Sequence, residues 1–260
     1  MSLWLLFGLL LQSPPAAAAQ QAVPPSSPRV LGDPSRYPFG VGERFVYNAK
    51  LGFLTLGQGS VTVARRETYR DHDSFVFEFR LAAGNQFYRL DDKLESWTGV
   101  DDLVSRRLRK TLNENGKVRV RDELIYPDSG FIREVGKERT SPTVEEPLDD
   151  AAFIYWVRLL PLEVGKTYRF ERYYRKNRNP IVVQVLGREE CEMPGDRKAT
   201  CLLLHPTIGS GNLMREKNDA RLWLTDDARR IPVRIRTKQP FGTIHLELKS
   251  MTLHDAGAAE

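Results

Sequence analysis

Pairs of adjacent aspartates are the residues in this sequence whose type and spacing come closest to a hydrolytic site. Two carboxylates can hydrolyse a glycosidic bond when they face each other across a cleft, about 5 to 10 Å apart. Aspartates that are neighbours in sequence more often mark solvated turns and helix caps, so we expect no catalytic pair among them. The pairs are Asp91 and Asp92, Asp101 and Asp102, Asp149 and Asp150, and Asp226 and Asp227.

Other catalytic motifs are missing from the sequence. The four histidines are scattered, without two at metal-binding spacing on a predicted helix. Residues 208–212 carry Gly-Ser-Gly but not the strand, turn and helix that a nucleophile elbow requires. Gly57 and Gly59 precede a strand, and they lack the third glycine and the helix of a dinucleotide site. We therefore predict a protein that is not an enzyme and has no cofactor or metal.

Cys191 and Cys201 flank a predicted turn at residues 193–198. A hairpin that is symmetric about Asp196 places the two cysteines directly opposite each other, which predicts a disulfide in an oxidising compartment. Two free thiols are the alternative. A metal site is disfavoured because two sulfurs without clustered histidines do not complete a tetrahedral shell.

The N-terminus predicts export. An apolar run ends at Leu11, and Ala17 and Ala19 suit a signal peptidase that cuts before Gln20. No Lys or Arg precedes the run, and an uncleaved membrane anchor is the alternative, although the run is short for a bilayer. We expect a signal peptide at residues 1–19, a proline-rich linker at 20–38, one domain at 39–254 and a tail at 255–260. The predicted location is the periplasm, without a stable transmembrane span after cleavage.

The net charge does not indicate a nucleic-acid partner. Lys and Arg number 39 against 34 Asp and Glu, a formal charge of +5. In the basic segments at residues 117–121 and 234–238, charged and apolar residues alternate, as on the solvated face of a strand. We therefore predict no nucleic-acid site, and at most a weak attraction to anionic head groups.

Residues 221–253 predict three antiparallel strands. Folding about the turn at 226–229 sets Leu222 opposite Val233, and the turn at 239–242 sets Ile235 opposite Leu246. The second pairing also places Arg234 opposite Glu247, a favourable pair of opposite charges.

The rest of the chain predicts a mainly β fold with one helix. Strand patterns separated by turns follow one another from residue 39 onward, which favours an antiparallel meander over a parallel sheet. Residues 149–160 predict a helix that is apolar on nearly every side and ends at Pro161. We therefore expect a strongly curved antiparallel sheet, or open barrel, wrapped around this buried helix.

Large aromatic side chains exceed what one sheet face needs. A second packing layer is the simpler explanation, and an apolar ligand cavity is the functional one. The candidate lining residues are Phe53, Trp97, Tyr155, Trp156 and Trp223.

Three segments together resemble a family of exported bacterial proteins classed as a domain of unknown function, number three thousand one hundred and eight. They are the segment at residues 39–47 with Gly57 and Gly59, the helix at 148–162, and residues 223–234 with Leu-Thr-Asp-Asp and Arg-Arg-Ile-Pro-Val. The resemblance covers about residues 38–253. It implies a periplasmic, mostly antiparallel domain and supplies no catalytic residue. At the level of the fold the chain is also similar to the curved half-barrels that carry lipoproteins through the periplasm.

Three functions follow as hypotheses. The leading one is a non-catalytic protein that binds an apolar or lipidic envelope molecule between the concave sheet face and the helix. The second is a scaffold that binds another envelope protein through a strand edge or the proline-rich arm. The third is a hydrolase of cell-wall glycan or lipid.

Overall fold

The computed structural model describes residues 33–84, 87, 89–209, 214, 216–240 and 242–254. The predicted signal peptide, residues 20–32 of the predicted linker and the predicted tail lie outside the described residues. Within the linker, Pro34–Arg36 form a turn of 3₁₀-helix, and Tyr37 is buried in the core. The packed part of the chain therefore begins no later than Tyr37.

Fourteen strands make up most of the described chain, because apolar residues alternate with polar ones between turns. In chain order they are β1 (Arg44–Leu51), β2 (Leu54–Tyr69), β3 (His72–Gly84), β4 (Arg89–Gly99), β5 (Ser105–Glu114), β6 (Lys117–Tyr126), β7 (Phe131–Glu134), β8 (Thr140–Pro142), β9 (Thr167–Phe170), β10 (Ile181–Met193), β11 (Arg197–Ile208), β12 (Arg221–Thr225), β13 (Pro232–Gln239) and β14 (Gly242–Thr252).

The strands form one antiparallel sheet. Its order is β8-β7-β6-β5-β4-β3-β2-β1-β14-β13-β12-β11-β10-β9, so the first and last strands in the chain, β1 and β14, pair with each other near the middle of the sheet. Within the described residues β8 and β9 do not pair with each other, and the sheet is not closed. The prediction of a mainly β, antiparallel fold is confirmed.

The registers of the last three strands agree only partly with the prediction. Arg234 lies opposite Glu247 and Ile235 opposite Leu246, as predicted. Leu222, however, pairs with Ile235 and not with Val233. That prediction was wrong because β12 and β13 contain a bulge and are joined by a longer turn. At Leu222 the displacement is two residues, so the predicted and the observed partner, Val233 and Ile235, lie on the same face of β13.

The two cysteines bond across the hairpin of β10 and β11. Their sulfur atoms lie 2.24 Å apart, which confirms that Cys191 and Cys201 are the bonded pair. Cys191 lies opposite Ala199, so the cysteines are diagonal neighbours and the predicted direct pairing was wrong. The hairpin turns about Gly195 instead of Asp196, and both residues have a positive φ, of 76° and 56°.

The predicted helix is shorter than residues 149–160. An α-helix, α1, covers Phe153–Trp156, and one turn of 3₁₀-helix follows at Val157–Leu159. The carboxylate of Asp149 accepts the backbone N–H groups two and three residues later, which caps this segment. No helix within the described residues has the length and apolar character needed to span a membrane.

A buried ion pair fixes the helical segment to the start of the sheet. Both side chains of Arg158 and Glu43 are fully buried, with guanidinium to carboxylate distances of 2.6 and 3.0 Å. The same guanidinium donates to the backbone carbonyls of Pro38 and Arg229. Arg158 therefore joins the helical segment to the chain before β1 and to the turn between β12 and β13.

We predict that Arg158→Met lowers the free energy of unfolding by about 3 to 5 kcal/mol, because it leaves the carboxylate of Glu43 buried without its cation. The double variant Arg158→Met with Glu43→Leu should lose less than the single variant, because no charge remains to be desolvated. Urea unfolding of the three proteins measures both effects. A double variant that loses at least as much as Arg158→Met would contradict this explanation.

Candidate functional site

Two of the five predicted lining residues, Tyr155 and Trp156, lie in the core on α1. Both are fully buried. The ring of Tyr155 stacks on Phe77 with centroids 4.1 Å apart, and Trp156 meets Phe170 edge-on at 4.6 Å. These rings fill the contact between the helical segment and the sheet, so an apolar ligand does not fit at that point.

The other three residues lie elsewhere. The indole N–H of Trp97 donates to Glu67 at 2.6 Å, with the guanidinium of Arg107 over its ring. The indole N–H of Trp223 donates to Glu189 at 2.8 Å. Phe53 follows β1 and is 92% exposed. Among the described residues no ring contact joins any two of the five.

Polar atoms on the helical segment remain without partners. The hydroxyl of Tyr155 and the indole N–H of Trp156 are buried and have no hydrogen-bond partner among the described residues. Burial raises the pKa of Tyr155 well above its ordinary value. These groups are therefore neutral, and neither can act as a base at neutral pH.

The aspartate pair next to the helical segment is engaged in structural contacts. Asp149 is fully buried and accepts the hydroxyl of Ser96 at 2.5 Å. Asp150 binds the ammonium of Lys110 at 2.7 Å and accepts the hydroxyl of Tyr173 at 2.9 Å. Both carboxylates have strong internal partners, and this arrangement resembles a helix cap with an ion pair more than a pair of catalytic acids.

No group of His, Cys, Asp and Glu side chains in the described part of the chain could hold a metal ion. The cysteines bind each other.

The sheet face that carries the core continues past the helical segment. Along β3, Phe75 and Phe77 are buried, whereas Phe79 and Leu81, on the same face, are only half-buried. Leu51 on β1 is likewise half-buried, further from the helix than the buried Tyr47. The apolar alternation is thus longer than the helical segment that covers it. We call the part of this face beyond Tyr47 and Phe77 the distal half.

Small residues form the floor of a groove in the distal half. Ala49 on β1 pairs with Gly57 on β2, and Tyr47 with Gly59. A β-carbon placed on Gly59 would lie 3.5 Å from a methyl of Leu246 and 3.8 Å from a methyl of Leu81. We call this feature the distal groove. Its floor is Ala49, Gly57 and Gly59, and its walls are Leu81, Ile244 and Leu246.

A recess of about 680 Å³ adjoins the groove, because Ala83 in its wall pairs with Gly57 in the groove floor. That volume is within the range of small-molecule sites. The recess is mainly apolar, with one cation and one carboxylate at its border. It is lined by Leu56, Ala82, Ala83, Gly84, Arg89, Leu90, Asp91, Asn113 and Gly116.

The sequence contains only part of the signal for this groove. Residues 77–81 alternate apolar and polar side chains, and Gly57 and Gly59 precede the next strand pattern. Only the pairing with β1 and β3 shows that Gly59 stands between Tyr47 and Leu81, and Gly57 between Ala49 and Ala83.

Comparison with known proteins gives a family and a fold. The family model described as "Protein of unknown function (DUF3108)" matches residues 46–249, and no curated protein matches. A solved structure, "Crystal Structure of Beta-barrel-like Protein of Domain of Unknown Function DUF1849 from Brucella abortus", aligns with a TM-score of 0.54. The two chains are 10% identical, and the alignment covers 84% of this chain and 99% of the other. At that identity the likeness shows the fold alone.

We predict a pH-dependent stability that comes from Asp149. Burial raises the pKa of its carboxyl to about 6, against the opposing hydrogen bond from Ser96. A raised pKa means that the folded state binds this proton more tightly than the unfolded state does. The protonated carboxyl therefore contributes its full share of the free energy of unfolding below about pH 4, and this contribution is lost as the pH rises through about 6. The loss should be about 3 kcal/mol.

The Asp149→Asn variant keeps an acceptor oxygen and cannot ionise, so it should lack this loss. Unfolding free energies at a series of pH values test the difference between the two proteins. Asp128→Asn, in the turn after β6, is the control and should follow the wild type. If the free energy of unfolding of Asp149→Asn depends on pH in the same way as that of the wild type, the carboxyl of Asp149 does not titrate between about pH 4 and pH 6.

Proposed function

Because the chain belongs to the family described as "Protein of unknown function (DUF3108)", whose description assigns no activity, we propose its function from the distal groove. We propose that the protein binds an apolar or lipidic molecule of the cell envelope in this groove, without catalysis. The proposal also includes a sheet that curves around the helical segment, which then closes one end of the half-barrel and leaves the other end open to ligand.

One observation carries the proposal: the apolar face of the sheet extends beyond its cover. Phe79, Leu81 and Leu51 keep the inward parity of the core but are only half-buried. An apolar face of this kind is typical of a ligand groove or an interface. The recess of about 680 Å³ beside the groove favours the ligand, because it supplies a volume within the range of small-molecule sites.

The position of the ligand differs from the one expected from the sequence. Between α1 and the sheet, the stacked rings of Tyr155 and Phe77 occupy the space. We therefore place the ligand in the distal groove and the adjoining recess.

Export is part of the same proposal. The apolar N-terminal run and the bonded cysteine pair both favour an oxidising compartment outside the cytoplasm. A protein that carries an apolar molecule between membranes would work in that compartment.

A filled-groove variant tests the proposal. Gly59→Val should reduce binding of a fluorescent fatty acid by at least about ten-fold, because its side chain would occupy the groove floor while its β-carbon makes only ordinary contacts. The matched control is Gln58→Val, one residue earlier on the exposed opposite face, which should bind like the wild type. Fluorescence titration measures the dissociation constants, and urea unfolding should show that Gly59→Val is folded. Equal binding by Gly59→Val and Gln58→Val would place the ligand elsewhere or exclude it.

A further inference from the structure

The first half of β6 is paired on one side only. Strand β5 pairs with β6 from Lys117 to Leu124, whereas β7 pairs with it only from Glu123 onward. The N–H of Val135, just after β7, donates to the carbonyl of Asp122 at 2.8 Å, and the chain then turns away from β6. No described residue outside β5 and the turn that joins it to β6 forms a hydrogen bond with the backbone of residues 117–121. We call this part of β6 the open edge.

The alternation of an antiparallel ladder identifies the free backbone groups of the open edge. Asp122 directs its carbonyl toward the side of β7. The residues two and four positions earlier, Val120 and Val118, therefore direct their N–H and C=O groups to the same side. Arg119 and Arg121 direct theirs to β5. The free N–H and C=O groups of the two valines lie in one row, which an extended polypeptide strand can satisfy completely.

The same two residues carry exposed apolar side chains. Val118 and Val120 are 58% and 53% exposed. Ile125, which is fully buried, lies on the opposite face of the strand because its parity differs. The two valines therefore add nothing to the core. An exposed edge with β-branched side chains is the kind of edge to which another strand adds.

A recess of about 480 Å³ adjoins the open edge at the point where β7 ends. Leu124 and Val135 contribute apolar side chains to its wall, and Leu124 shares the parity of Val118 and Val120. A strand added to the open edge would continue the line of β7 beyond Val135, so one of its side chains can reach this recess. Main-chain bonds along an edge, with a pocket for a side chain, are the features of strand addition. The charged residues of the recess are balanced: Arg133, Glu134, Lys137 and Glu138.

Charge does not select an acidic or a basic partner, because the three cations of the open edge have three carboxylates beside them. The cations are Lys117, Arg119 and Arg121, and the carboxylates are Glu114, Glu123 and Glu134. A second copy of the same edge is nevertheless disfavoured. Every antiparallel register that bonds the free groups of both copies sets at least one of these cations directly opposite another.

The parts of the chain outside the structure are attached at the other end of the strands. Tyr37, which follows them at the N-terminal side, contacts the carbonyl of Asp101 before β5, and His254 lies against Gly40 before β1. The open edge begins instead at the turn after β5. Residues 20–32 also contain three prolines, which lack the N–H that a ladder needs. A different polypeptide is therefore the occupant that the edge favours.

We propose that the open edge of β6 binds an extended segment of a different protein as an additional antiparallel strand. The segment has apolar side chains at alternate residues, which lie beside Val118 and Val120. This inference goes beyond the proposed ligand function, because it assigns a protein partner and requires no molecule in the distal groove.

A proline variant tests the edge with a short fluorescent peptide of alternating serine and valine as the probe. Fluorescence anisotropy should show that the full-length wild type binds this peptide. Val120→Pro should bind it at least about ten-fold more weakly, because proline removes an N–H donor of the edge and its ring lies in the path of the added strand. The variant should remain folded, which urea unfolding checks, because the N–H of Val120 does not bond to β5.

Val164→Pro is the matched control. Val164 is an exposed valine at the second position of the turn at residues 163–166, where proline is favoured. This variant should bind the peptide like the wild type. Equal binding by Val120→Pro and Val164→Pro would place the peptide elsewhere and overturn the proposal, as would a wild type that does not bind it.

Two methylated peptides test the main-chain bonds. In the proposed antiparallel register the valines of the peptide lie opposite Val118 and Val120 and direct their N–H groups to β6. Methyl groups on the valine nitrogens should therefore abolish binding. Methyl groups on the serine nitrogens point away from β6 and should leave the dissociation constant unchanged. If both methylated peptides bind like the unmodified one, strand addition is wrong.

Amide hydrogen exchange tests whether the edge is free in the full-length protein. The N–H groups of Val118 and Val120 should exchange at least about ten-fold faster than those of Arg119 and Arg121, which bond to β5, and the peptide should slow them. Slow exchange of the two valines without peptide would show that the edge is already covered. Sedimentation should give a monomer, and a dimer that Val120→Pro dissociates would place a second copy at the edge. Either result would overturn the proposal.

Discussion

The hydrogen bonds of the buried Arg158 guanidinium are the contacts on which the rest of the structure depends. It lies between the carboxylate of Glu43 and the carbonyls of Pro38 and Arg229, and so joins the helical segment to two distant parts of the chain. Taking both charges out of water is costly, and only good geometry with additional hydrogen bonds offsets that cost. An apolar contact would tolerate a shift of the helix along the sheet, whereas this set of directional bonds fixes it at one end of the strands.

Part of the apolar sheet face is uncovered because the helical segment lies at one end of the strands and is much shorter than they are. The helical segment has four α-helical and three 3₁₀ residues, which span about 12 Å. Strand β3 has 13 residues and spans about 43 Å. A segment of that length, held at one end, cannot cover such a strand. The apolar parity of β3 nevertheless continues through Phe79 and Leu81, and this mismatch between cover and face produces the distal groove.

The sequence predicts which side chains of each strand face the core, but it predicts the registers between strands only in part. Arg234 and Glu247 pair as predicted because the turn between β13 and β14 is short. The predicted register of the hairpin that carries Cys191 and Cys201 was wrong because the turn is centred on Gly195. The alternation of apolar residues does not show where a turn is centred. The groove was not predictable, since the sequence does not show which residues of the neighbouring strands pair with the two glycines. Trp97 and Trp223 were assigned to a ligand because residue size does not show that a glutamate and nearby arginines already engage each indole.

The same asymmetry relates the groove to the tips. Phe53 and Phe87 are exposed at the hairpin tips of the distal end, and the opposite ends of those strands carry aspartates instead. The helical segment lies at the charged end, where Asp149 accepts the hydroxyl of Ser96 near the end of β4. The apolar tips are at the end that the helix leaves open. The helical segment therefore leaves the half-buried side chains of Phe79 and Leu81 without its cover, and the apolar end of the strands is the end from which the proposed ligand would enter the distal groove.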